Sequence, residues 1–149
     1  MAYNPTRSHS TRQDQWNVGL HIGGNSYGLW DKKTGGEVDS DEVVYYPGGM
    51  NPKIVLGGRV TPGNITLQKL YDANDDGPFI ATLINGVGKL ACKVTQRPLD
   101  INGNPYTNGK TVIWNGKLKR VLIPDVDSEG TAAALMEVEI TIEGIPAVV

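Results

Sequence analysis

A lone thiol, two histidines and several glycine-rich or acidic strings are the residues of this 149-residue chain whose types could do chemistry, and each lacks the spacing its chemistry needs. Cys92 sits in Leu90-Ala91-Cys92-Lys93-Val94, on the apolar phase of an alternating run. A reactive thiol needs an activating neighbour, which the local sequence does not supply, so Cys92 is expected as a small core residue. As the single cysteine it also excludes an internal disulfide and a cysteine-based zinc site. His9 and His21 have no His, Cys or acid at metal-ligand spacing. Gly109-Lys110-Thr111 resembles the end of a phosphate-binding loop, but five residues separate it from Gly103 where the motif has four, and strand-like sequence follows where a helix is required. Gly86-Val87-Gly88 closes a helical pattern, whereas a dinucleotide loop opens one. Asp125-Val126-Asp127-Ser128-Glu129-Gly130 spaces acids like a calcium loop, yet its twelfth position is Met136, which offers no carboxylate. Asp100-Ile101-Asn102-Gly103-Asn104 fails for the same reason. Asp75-Asp76 precedes a helical pattern and is expected to start it. Lys33-Thr34-Gly35 lacks the Ser-x-x-Lys that accompanies such a string in penicillin-recognising enzymes. No catalytic residue, cofactor or metal site is assigned, and the chain is not expected to be an enzyme.

The elements available to position any site are strands. With 19 Gly and 9 Pro the chain has too many breakers for a helical bundle, and its patterning is too regular for disorder. Fourteen basic and sixteen acidic residues leave a net charge of -2, which excludes a DNA-binding domain of the usual basic kind. No apolar run approaches the roughly 18 to 20 residues that a membrane helix needs, and Met1-Ala2-Tyr3-Asn4-Pro5 has no signal-peptide core. A soluble chain made in the cytosol is expected, folded as one domain over 1–149.

Residues 1–14 are polar and aperiodic and read as a flexible arm. Trp16, Val18, Leu20 and Ile22 then share one face of a strand that ends at Gly23-Gly24-Asn25, with a short hairpin partner at Tyr27–Trp30. From Lys32 to Arg59 the pattern is irregular, with three Gly-Gly pairs and the cluster Val43-Val44-Tyr45-Tyr46. Such a stretch within a compact domain is functional or disordered, and its β-branched and aromatic residues predict a protruding hairpin or edge strand that pairs with something. Its backbone shows no evident internal partners, so 35–58 is expected to be mobile until assembled. Asn64–Tyr71 alternates as a strand. Pro78 opens one helix, with Phe79, Ile80, Leu83 and Ile84 on its stripe and Asn85-Gly86 at its end. Strands are predicted again at Leu90–Thr95, at Thr111–Ile123 as a long strand or bent pair, and at Ala134–Ile142. In the last, Met136, Val138, Ile140 and Ile142 oppose an acidic stripe of Glu137, Glu139 and Glu143. The fold class is mainly β, a small β-sandwich or barrel with one flanking helix, a long protruding loop and an N-terminal arm.

One ordered series remains: Gly19-Leu20-His21-Ile22-Gly23-Gly24, Gly28-Leu29-Trp30, Gly35-Gly36-Glu37-Val38, Tyr46-Pro47-Gly48-Gly49, Leu56-Gly57-Gly58-Arg59, Asn64 to Lys69, the helix, Gly116-Lys117-Leu118, Pro124-Asp125 and the final strand. Over about residues 16–145 this order resembles the phage tail tube family, the tubes of contractile tails and related injection systems. The resemblance implies a subunit of hexameric rings stacked into a hollow tube that conducts a genome, in a virion tail assembled in the host cytoplasm. It implies contacts to neighbouring subunits and rings through Gly36, Val43, Val44, Tyr45, Tyr46, Gly48 and Gly49, and partners among initiator and terminator proteins, with a sheath as well if the tail is contractile. DNA would pass without sequence-specific binding, and Glu137, Glu139 and Glu143 are either the lining of the bore, where carboxylates would repel phosphate, or an ordinary solvated outer face, since alternation does not say which side of the ring they occupy. A head-tail connector or capsid-decoration protein would share the glycine-punctuated strands. A carbohydrate-binding β-sandwich would instead need Trp30, Trp114 and tyrosines exposed on one face.

Overall fold

The computed structural model describes residues 9–149. Among the described residues, ten strands and one helix follow in the order β1 (Trp16–Ile22), β2 (Asn25–Leu29), β3 (Lys32–Gly35), β4 (Val38–Tyr45), β5 (Ile54–Pro62), β6 (Ile65–Leu70), α1 (Gly77–Asn85), β7 (Ala91–Pro98), β8 (Val112–Leu122), β9 (Leu135–Ile142) and β10 (Ala147–Val148). Eight strands form one sheet in the order β2-β1-β7-β8-β9-β6-β3, with β10 added to the start of β8. The strand pairs are antiparallel.

The two ends of this sheet are consecutive in sequence. Only Trp30 and Asp31 separate β2 from β3, and they bridge the seam: Trp30 N donates to Val18 O at 2.8 Å, and Asp31 N donates to Gln68 O at 3.0 Å. Two residues reach only about 7 Å, so the sheet must roll until its ends meet. The interior of the roll is the core. Leu20, Ile65, Leu67, Val94, Leu118, Val138 and Ile140 are fully buried there, each on the inward phase of its strand. The inward face of β9 is the expected one, and Cys92 lies among these residues, where burial pushes its thiol up to about 11.

Several expectations need correction. The helix buries Leu83 alone, while Phe79 and Ile84 are exposed and the Phe79 ring meets Tyr27 edge-on at 4.8 Å. Asp76 occupies the N-cap position without capping the helix through its side chain. Its carboxylate instead faces Lys69 at 2.9 Å and accepts the Asp72 amide at 2.8 Å. Within 35–58 the two strands have internal backbone partners after all, because β4 and β5 pair with each other from Val38↔Pro62 to Tyr45↔Ile54, and the bend between them, 46–53, lies outside the ladder. Of the N-terminal arm, residues 1–8 lie outside the described residues. Just after them, Arg12 pairs with Asp14, and Leu99 N donates to Gln15 O at 2.8 Å. Among the described residues no helix is long and apolar enough to cross a membrane.

Candidate assembly surfaces

The β4–β5 hairpin is a separate two-stranded sheet. β-Branched and aromatic residues favour these strands, and alternation divides their side chains between two faces. Val43 opposes Leu56 and Tyr45 opposes Ile54 on one face, while Val44 opposes Val55 on the other. Val43, Tyr45, Ile54, Val55 and Leu56 are all exposed, as are Val38 and Val60 nearer the base. Both faces of the outer half are therefore apolar and largely open to water, and among the described residues both outer edges lie outside any ladder. Tyr46, Gly48 and Gly49 occupy the exposed bend.

The base of the hairpin is clamped to the rolled sheet. Gly36 N donates to Asn64 O at 3.2 Å and Gly63 N to Glu37 O at 2.7 Å, so two backbone bonds fix where the chain leaves and returns. Gly36 is buried with φ +82°, and a Cβ there would meet Trp114 and Ile65 at about 3.1 and 3.0 Å. Trp114 Nε1 donates to Gly36 O at 3.1 Å, and Lys33 Nζ covers the Trp114 ring at 4.1 Å. Burial holds the Lys33 ammonium below its ordinary pKa, with Glu37 partly opposing. Gly36 thus positions the hairpin from inside the subunit, unlike the other six residues expected to make contacts. Within the hairpin, Gly58 lies against the Asp41 backbone where a Cβ has no room, at the register shift between Ser40 and Glu42.

The outward face of β8 and β9 carries ion pairs. Leu118 opposes Ile140 and Arg120 opposes Glu139, so Lys119 is the extra residue of a bulge, and both cations turn outward. Arg120 reaches Glu137 at 2.6 Å and Glu139 at 3.3 Å, Lys119 reaches Glu139 at 3.4 Å, and Lys117 stands 3.8 Å from Glu143. For Glu139, partial desolvation raises the carboxyl, but the Lys119 charge, hydrogen bonds from Lys119 and Asn64, and Arg120 outweigh it, leaving the group below its ordinary range. The stripe read as acidic is thus a ladder of three acids and three cations. The missed signal was Lys117-Leu118-Lys119-Arg120, whose last two residues break the alternation. Ile54-Val55-Leu56 on β5 was obscured by the glycines that follow it.

The groups considered for chemistry stay apart. Cys92 is buried, His21 lies on β1, and His9 meets the Tyr106 ring edge-on at 6.1 Å. Among the described residues no three His, Cys, Asp or Glu side chains gather as a metal site. Trp30 and Trp114 are each 5% exposed, so neither offers a face on which a sugar could stack.

No family model matches the chain, and no curated protein matches it in sequence. Solved structures do match it over its whole length. A chain of the sheath-tube complex of an extracellular contractile injection system, in the extended state, aligns with a TM-score of 0.74 at 15% identity, covering 99% of both chains. A chain from the sheath/tube terminator of such a system gives 0.73 at 16% identity, covering 96% of this chain and 99% of that one. The tube terminating cap of the anti-feeding prophage gives 0.69 at 14% identity, covering 100% and 94%. The resemblance read from the sequence is borne out at the level of the fold: this is the fold found in contractile injection tubes and their terminating caps.

Proposed function

We propose that this chain is a structural, non-enzymatic subunit of a hollow tube, assembled as hexameric rings that stack into the conduit of a contractile injection system or phage tail. The observation that supports this most is the β4–β5 hairpin, which presents apolar side chains on both faces and two open edges while its base is clamped by Trp114 and Gly36. A lone subunit leaves that surface in water, and a closed assembly covers it. Val43, Val44, Tyr45, Tyr46, Gly48 and Gly49 make the contacts between subunits and rings, and sheath, initiator and terminator proteins are the other partners. An injection tube is favoured over a DNA-conducting tail because the structural neighbours come from injection systems.

In this reading the face with Glu137, Glu139 and Glu143 lines the bore. Its pairing with Lys117, Lys119 and Arg120 makes the lining neutral on balance, so that it neither holds nor repels a charged cargo strongly. Assembly takes place in the host cytoplasm, before the particle is released. The test is light scattering and negative-stain microscopy of purified protein from micromolar to millimolar concentration. Stacked rings of one chain are expected. A strictly monomeric species throughout overturns the reading.

A further inference from the structure

The chain exposes a second apolar surface, of a different chemical character from the hairpin tip. At one end of β6, β8 and β9, Leu122 and Leu135 line a groove of about 370 Å³, and Leu70, directly opposite Leu135, is exposed beside it. Asp125 and Asp127 form part of its wall, within a connection, 123–134, that carries Asp125, Asp127 and Glu129 and no base. The hairpin's outer part, 43–58, has the opposite charge pattern. Its sole charged residue is Lys53, adjacent to Ile54. At its bend Met50 holds a left-handed φ of 59°, uncommon for a residue other than glycine, with its side chain entirely in solvent.

We propose that the hairpin tip of one subunit docks in the groove of a second copy, with Lys53 against Asp125 and Asp127 and the Ile54 side of the tip on Leu122 and Leu135. Tip-to-tip pairing would set two Lys53 ammoniums together, and groove-to-groove pairing would crowd four carboxylates, Asp125 and Asp127 of each copy. Only the head-to-tail contact joins opposite charges and covers both apolar surfaces. Such a contact leaves each copy with a free tip at one side and a free groove at the other, so it propagates into rings or stacks. The inference rests on the tube reading and specifies which surfaces meet.

Two assembly-deficient proteins test it: a tip variant, Tyr45→Asp with Ile54→Asp, and a groove variant, Leu122→Asp with Leu135→Asp, each checked for an unchanged melting transition. Each alone should stop at a smaller species, measured by mass photometry. Mixed, the intact groove of one accepts the intact tip of the other, so the mass should double once and grow no further. Should a variant fail to fold, solvent-exposed charges give an independent test. Lys53→Glu should raise the concentration of half-assembly about tenfold, and adding Asp125→Lys and Asp127→Lys in the same chain should restore it to within about threefold. A groove variant that assembles like the wild type, a mixture that stays at the size of its parts, or no rescue by charge exchange overturns the docking while a wild-type assembly stands. A wild type that remains monomeric overturns docking and tube reading together.

Discussion

Lys69 illustrates how one charged side chain is held inside a small rolled sheet. Its ammonium lies 2.9 Å from Asp76, donates to Tyr27 O at 3.2 Å and sits 4.6 Å over the Trp30 ring, with only 14% of the side chain exposed. One residue thereby ties β6 to the start of α1 and to the β2–β3 corner. Lys69→Met leaves the Asp76 carboxylate, 10% exposed, without its cation, and should cost about 3 kcal/mol. Asp76→Asn should cost less, because its amide oxygen can still accept the Asp72 N–H. Urea unfolding checks both: the midpoint should fall at constant slope, in that order of severity. Glu139 makes the corresponding prediction for pH. Its folded carboxyl lies below the ordinary range, so its stabilisation is present above the unfolded pKa and is lost as pH falls through the folded value. In Glu139→Gln the drop of melting temperature between neutral and acid pH should be shallower than in the wild type. An identical acid limb in the two proteins would remove Glu139 from the account.

At the scale of elements, the hairpin has a rigid root and a tolerant tip. Gly36→Ala sets a Cβ against Trp114 and Ile65 at φ +82°, whereas Gly49→Ala at φ +73° meets only the Asn51 side chain at 3.5 Å. The first should destabilise by about 2 to 3 kcal/mol, and the second by about 1 kcal/mol from backbone strain alone. Chemical denaturation measures the difference, and equal losses would show that the root is not specially constrained. The same contrast explains what the sequence made legible. β1, β6, β7 and β9 each bury alternate side chains against one core, so a period of two announces them. The short β3 and β10, of four and two residues, carry too few side chains to show a period. On β8 the bulge at Lys119 moves the inward phase from Leu118 to Val121, which no alternation rule anticipates. The hairpin's apolar cluster was visible as something that needs a partner, but Gly57-Gly58 hid its second strand. For the ion-pair ladder, the acids were legible on β9, and the opposing cations were not, because register between β8 and β9 is a tertiary fact.

At the scale of the whole molecule, the rolled sheet completes its own core, whereas the hairpin forms a separate two-stranded sheet whose apolar side chains stay exposed among the described residues. Amide exchange should report this division. In isolated protein the β4–β5 amides should exchange faster than those of β6 and β9, and in the assembly they should slow while the core strands change little. Equal hairpin protection in both states would place that surface outside any interface. The ladder on β8–β9 carries the last expectation. If that face lines the bore, Glu137→Lys with Glu139→Lys sets two new ammoniums beside Lys119 and Arg120, where the wild type has ion pairs. Exposed ion pairs contribute little to folding, about 0 to 1 kcal/mol each, so tubes should still form. The consequence lies in transport. A ring repeats every charge of its subunit around the bore, and neighbouring cations in a confined channel hold polyanions in a salt-dependent way. Reversed tubes should therefore retain a short fluorescent oligonucleotide at low salt and release it as salt rises, whereas wild-type tubes retain little. Indifference to the reversal, with the lysines confirmed in assembled particles and the tube ends open, would put this face on the outside of the wall.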